Sequence, residues 1–245
     1  MIGRFNTIDA FAEKYKSHTP YHYAADNPIL FIDLHGDSVG VDKSITSNKQ
    51  ANKDFNNFAN SKAGRKFLSQ YAAKGQTIGG YTFKENGKYN NKGVDVNYTL
   101  GKLSAGTQGQ TFSNDGSLPG TIAGDRLKET VVLDYSQSPA GEKGNDLSLD
   151  ITKVIFHESF IHVDLDTQDY LDDHLLNGSN LNGSAKKLFD AGFNGRAQHR
   201  QAKQDSPNSL FFKEGYPALQ TINQNLGTNY SNQRLQDLVL RGLTD

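Results

Sequence analysis

Apolar residues along this chain change their period more than once, and each change marks a candidate element. Residues 50–74 carry Phe55, Phe58, Phe67, Leu68 and Tyr71 at mixed three- and four-residue spacings interrupted by Gly64. That pattern predicts one broken helix or two short ones. From Gly75 to about Phe112 the period drops to two: Ile78, Tyr81 and Phe83, then Val94, Val96, Tyr98 and Leu100, alternate with polar residues. Glu85-Asn86-Gly87 separates the two alternating runs and reads as a hairpin turn. A further strand is expected over Glu129 to Tyr135, with Val131, Val132 and Leu133 as its apolar run, and a Gly/Ser/Pro-rich loop follows from Ser136 to Asn145.

The clearest helix runs from Asp150 to about Val163. Asp150 can cap its exposed N–H groups, and Ile151, Val154, Ile155, Glu158, Ile161 and Leu165 fall on one stripe. Shorter helices are expected near Ser184 to Phe193, Pro217 to Leu226 and Ser231 to Leu243. Helices and a small antiparallel sheet segregated along the chain predict the α+β class. The polar stretch 37–48, with three Ser and a Thr, Asn and Lys among its residues, has linker composition.

Composition narrows the chemistry. The 245 residues include no cysteine, which removes disulfides, thiolate metal sites and cysteine nucleophiles. With 26 Lys+Arg against 27 Asp+Glu there is no basic field to draw the protein onto nucleic acid. No apolar run is long enough for a membrane span, and the first residues lack the sections of a secretory signal. Hydrophobic residues make up only 35%, but 14 Phe and 11 Tyr supply large apolar area per residue.

The chemistry-bearing motif is Phe156-His157-Glu158-Ser159-Phe160-Ile161-His162, a His-Glu-x-x-x-His sequence inside the predicted helix. Zinc peptidases commonly place His-Glu-x-x-His on a helix, so that histidines four apart share one ion and the Glu acts as base. A five-residue step on a regular helix turns about 500°, leaving the imidazoles about 140° apart. A π-type turn between them restores a common face. In this motif the chain resembles the dipeptidyl peptidase III family, which uses the same lengthened spacing. The resemblance implies His157 and His162 as zinc ligands and Glu158 as general base, on a zincin-like active-site helix. Glu158 also interrupts an apolar stripe, where an unpaired carboxylate is costly.

A third ligand is required. His199, in Gly195-Arg196-Ala197-Gln198-His199, is the first choice, because it follows a Gly-containing break and can fold back over the site. Glu214 is the carboxylate alternative. His174 stands about 18 Å along the axis from His162 if the helix continues. The surrounding acidic run, Asp164, Asp166, Asp169, Asp172 and Asp173, reads as a solvated face. Tyr216 is a candidate to stabilise an oxyanion, or a core residue.

The N-terminal 36 residues read differently. Gly3-Arg4-Phe5-Asn6-Thr7-Ile8-Asp9-Ala10-Phe11-Ala12-Glu13-Lys14-Tyr15, followed by Pro20-Tyr21-His22-Tyr23-Ala24-Ala25-Asp26-Asn27-Pro28-Ile29, resembles the end of the Rhs repeat-associated core. The likeness implies a Rhs-core remnant over 1–36, a linker over 37–48 and a toxin domain over 49–245, with a longer natural polypeptide ahead of Met1. Asp9-Ala10 and Asp33-Leu34-His35-Gly36 depart from the Asp-Pro and Asp-Pro-x-Gly of the family, so autoproteolytic release at this junction is not carried over. The same likeness implies a secreted effector, delivered into a target cell by type VI or similar contact-dependent secretion. A cognate immunity protein, a protein or peptide substrate and the secretion apparatus are its implied partners. A zinc metallopeptidase is the leading reading; a metal-dependent nuclease toxin and a non-enzymatic adhesion module are the alternatives.

Overall fold

The computed structural model describes residues 39–113, 127–138, 142–177, 198–200, 202, 209–228 and 230–241, with backbone alone at 169, 172–177 and 241. All of them belong to the unit Ser38–Asp245. The Rhs-like stretch 1–36 and the helix expected at Ser184 to Phe193 lie outside the described residues.

Side-chain caps set the first helices. Asp42 accepts the Ser44 N–H at 2.7 Å to start α1 (Lys43–Ser47), directly after strand β1 (Val39–Val41). Asn48 accepts the N–H groups of Gln50 and Ala51 to start α2 (Lys49–Asn60), and Ser61 accepts that of Gly64 to start α3 (Lys62–Leu68). The stretch expected as a linker is therefore a strand and a helix. Its polar composition hides two anchors, Val39 and Ile45, which are buried. The break between α2 and α3 falls at Ser61 and not at Gly64, which sits inside α3. A Cβ on Gly64 would stand 2.0 Å from the Phe58 carbonyl oxygen, so the glycine permits the close approach of the two helices.

A short hairpin pairs β2 (Thr77–Ile78) with β3 (Tyr81–Thr82). Its turn is Gly79-Gly80, at φ +58° and +80°. Asn86-Gly87 is not the hairpin turn. The Asn86 side chain instead accepts the Lys74 N–H, and the Gly87 N–H donates to the Ala72 carbonyl. Gly87 is pressed against the Ser69–Gln70 backbone, where a side chain has no room.

The main sheet is mixed, which corrects the expectation of an antiparallel one. Its order is β1-β4-β6-β5, where β4 is Val94–Leu100, β5 is Gly109–Ser113 and β6 is Leu127–Leu133. β1, β4 and β6 run parallel, and β5 pairs antiparallel to β6 at the edge. Strand β6 begins two residues before the expected Glu129 and ends at Leu133, where Asp134 caps a 3₁₀ turn over Tyr135–Gln137. Its burial alternates strictly, with Leu127, Glu129, Val131 and Leu133 inward.

Against the sheet lies a helical run from Gly144 to Asn177, made of α4 (Gly144–His157), a π-turn over Glu158–Val163 and α5 (Asp164–Asn177). It begins six residues before the expected cap. Asp150 is inside α4, where it accepts from Lys153 and Gln108. The C-terminal helices α6 (Tyr216–Leu226) and α7 (Asn232–Arg241) follow a second π-turn over Phe211–Gly215. The core between α2, α4 and the sheet is aromatic. Phe58 meets Phe156 edge to face at 4.9 Å and has Phe55, Phe67, Tyr98 and Phe160 around it. Buried hydroxyls tie the long helix down: Tyr98 pairs with Ser159 at 2.8 Å and Tyr71 with Thr167 at 3.1 Å.

Candidate metal centre

The π-turn answers the rotation problem set by the motif. Underwinding over Glu158–Val163 brings His157 and His162 to the same side, with ring centroids 5.2 Å apart. His199, on a helical segment over residues 198–200, joins them. Its Nε2 is 3.0 Å from Nε2 of His157 and 3.2 Å from Nε2 of His162. One ligand atom from each of the three lies within 4.8 Å of the others, close enough to hold a metal ion. Nitrogens bound to a tetrahedral zinc at about 2.05 Å stand about 3.3 Å apart, so the spacing suits such an ion.

Electrostatics point the same way. Burial holds His157 well below the ordinary imidazole range, and the neighbouring His162, His199 and Lys153 push it further in the same direction. The ring is neutral near pH 7, with a lone pair to offer. The tautomer of His162 follows from its partner. Its Nδ1 lies 2.6 Å from Oε1 of Gln198, and an amide oxygen only accepts, so Nδ1 carries the proton and Nε2 keeps its lone pair. The Gln198 amide nitrogen then donates to Asp166. Ser113 Oγ stands 3.3 Å from Asp166 Oδ2 and 3.0 Å from Glu129 Oε2, linking the two carboxyl groups. Burial, with Asp166 adding to it, pushes Glu129 well above the usual carboxylate range.

Glu158 points toward the edge strand. Its Oε2 accepts the Thr111 hydroxyl at 2.8 Å, and the residue is buried. Burial raises its pKa, while the nearby His162 and the Thr111 hydrogen bonds oppose the rise. Gly109 makes this approach possible: a Cβ there would stand 2.3 Å from Val154 and 3.1 Å from Cγ of Glu158. Each of the three histidines keeps part of its surface exposed.

Among the described residues the group that can hold a metal does not include Glu214. Glu214 is ion-paired with Lys66. Tyr216 donates its hydroxyl to the Asn232 carbonyl at 3.3 Å. His174 belongs to α5, which continues the helix beyond the π-turn, and its side chain lies outside the described residues. The solvated acidic face needs correction at two positions, since Asp164 and Asp166 are 8% and 4% exposed. Residue-by-residue reading missed Gln198, Thr111, Ser113, Glu129 and Asp166. The signals in the sequence were the placement of Gln198 beside His199 and of Glu129 on the inward side of an alternating strand. Comparison with protein families, curated proteins and solved structures finds no match for the chain.

Proposed function

We propose that the unit Ser38–Asp245 is a zinc-dependent hydrolase of peptide or related amide bonds, the toxin domain of a Rhs-type secreted effector. The observation that carries the hydrolase reading is the convergence of His157, His162 and His199, with Glu158 next in sequence to the first. The effector reading is supported by the resemblance of residues 3–29 to the Rhs core. Three histidine nitrogens on one ion, with the fourth position left to water or substrate, are the donor set of catalytic zinc.

When bound, zinc would supply Lewis acidity toward a carbonyl oxygen and toward water. The protein's own residues do the rest. Gln198 fixes the ring of His162 with Nε2 toward its partners. Glu158, raised by burial, accepts the proton of the attacking water and delivers it to the leaving amine. Thr111 holds one oxygen of that carboxylate and so sets its direction.

Elemental analysis of the purified chain tests the metal first: about one zinc per chain, lost in His157→Ala, is expected. Glu158→Gln keeps the metal and lowers amide hydrolysis by about 10²–10⁴-fold. Full hydrolysis or toxicity in a metal-free Glu158→Gln protein removes this reading. Cleavage of plasmid or RNA that depends on the same histidines replaces it with a nuclease.

A further inference from the structure

A groove of about 870 Å³ runs between α2 with the start of α3 and the facing side of α6, and it is not lined by the three histidines. Helical spacing builds its walls. Lys53, Asn56, Asn57 and Asn60 form one stripe of α2, and residues around Ala218, Ile222 and Asn225 form the opposing stripe of α6.

Charge in the groove is unlike that of the whole chain, which carries a formal net charge of −1. Among the described residues, Lys53, Lys62, Lys66 and Lys213 line it against a single carboxylate, Glu214, and Lys66 already pairs with that one. Lys53 donates to the Asn145 amide at 2.9 Å, a neutral partner that does not compensate its charge. Among the described residues the lining holds no arginine, so they offer none of the bidentate forks that grip a compact phosphate. Separate ammonium groups spread over two helices suit carboxylates spread along a chain instead.

The amides favour the same occupant. Each asparagine offers one acceptor and two donors, the complement of a peptide N–H and C=O. Asn57 lines the groove, and its Nδ2, shielded from solvent and without a hydrogen-bond partner, is satisfied when the side chain turns this donor toward a ligand's acceptor. The 12 residues of α2 span about 18 Å, the length of five or six residues of extended peptide.

We propose that this groove binds an extended acidic segment of a partner polypeptide, with Lys53, Lys62 and Lys213 facing its carboxylates and Asn57 bonding its backbone. This is a docking site separate from the metal centre, and it stands whether or not the hydrolase reading does.

The test is fluorescence polarisation of the full chain with a labelled peptide alternating Glu and Ala, against the same peptide with Gln in place of Glu. Saturable binding of the Glu peptide is expected, weakening with salt. Lys62→Glu/Lys213→Glu should weaken it about tenfold or more, and Asn57→Leu should weaken it without changing the salt dependence. If the double variant does not fold, Lys62→Ala and Lys213→Ala are measured singly, each expected to lose several-fold. The proposal is overturned if the Glu peptide does not bind, if the Gln peptide binds as well, or if the lysine variants bind unchanged. Displacement by inorganic phosphate or a heparin fragment at matched charge also overturns it, because the surface is then a general anion site.

Discussion

Replacing Gln198 by Leu probes the metal centre through a residue that would touch no metal. The Gln198 amide has two partners: its oxygen receives the His162 Nδ1–H at 2.6 Å, and its nitrogen donates to Asp166. Leucine has similar volume and serves neither. The His162 ring then loses the contact that fixes its tautomer, and a fraction of the rings carries the proton on Nε2, where the metal would bind. Loss of a supporting hydrogen bond of this kind lowers metal affinity about 10–100-fold, or about 1.4–2.7 kcal/mol. Competition against a chromophoric zinc chelator at pH 7.5 reads this directly, and urea unfolding of the metal-free protein separates it from general destabilisation. Gln198→Glu supplies the rescue. A carboxylate there accepts from the His162 Nδ1–H, so zinc affinity at pH 7.5 is expected to lie closer to the parent's than that of Gln198→Leu. A folded Gln198→Leu protein that binds zinc within about twofold of the parent would refute the assignment of Gln198 as the positioning residue.

Phe58→Ala should cost about 3–5 kcal/mol in urea unfolding, because the ring is fully buried among five aromatic neighbours that include Phe156 and Phe160 beside the site. Burial raises Asp164 to about 6. The folded state therefore binds more protons than the unfolded chain between about pH 4 and 6, and stability falls as pH rises through that window, by at most about 3 kcal/mol. Asp164→Asn should flatten this part of the pH–stability curve; an unchanged slope contradicts it. Gly109→Val should disrupt β5 and the setting of Glu158, since even a Cβ meets Val154 at 2.3 Å; both a lower melting temperature and a lower hydrolysis rate are expected. Removing metal by EDTA from the parent, and adding back zinc, should abolish and restore hydrolysis.

The site was more legible in the sequence than the sheet. Helical rotation alone sets where residues five apart point, so a shared ion on His157 and His162 already requires an underwound turn. His199 is reachable only as a choice among ligand types, because no local period ties residue 199 to residues 157 and 162. The parallel order of the sheet was not legible at all. Strand β1 spans only Val39–Val41, and its partner Val94–Leu100 is separated from it by three helices, so nothing local announces the pairing. Gly64 and Gly87 read as punctuation, whereas each serves a close packing of backbone on backbone. The acidic run misled because charge is normally solvated; Asp166 is instead retained by the donors Gln198 and Ser113.

The loosened turn also explains how one residue too many between the histidines leaves the rest of the rod undisturbed. Five steps of a π-turn rotate the chain about as far as four steps of an ordinary helix, so everything after His162 keeps the phase it would have with histidines four apart. Thr167 therefore still reaches Tyr71 and Asp166 still reaches Ser113. Removing Ser159, Phe160 or Ile161 is expected to spare both the histidine pair and the far half of the rod, with the cost confined to the packing under the turn itself, where Ser159 meets Tyr98 and Phe160 meets Phe58 and Phe156.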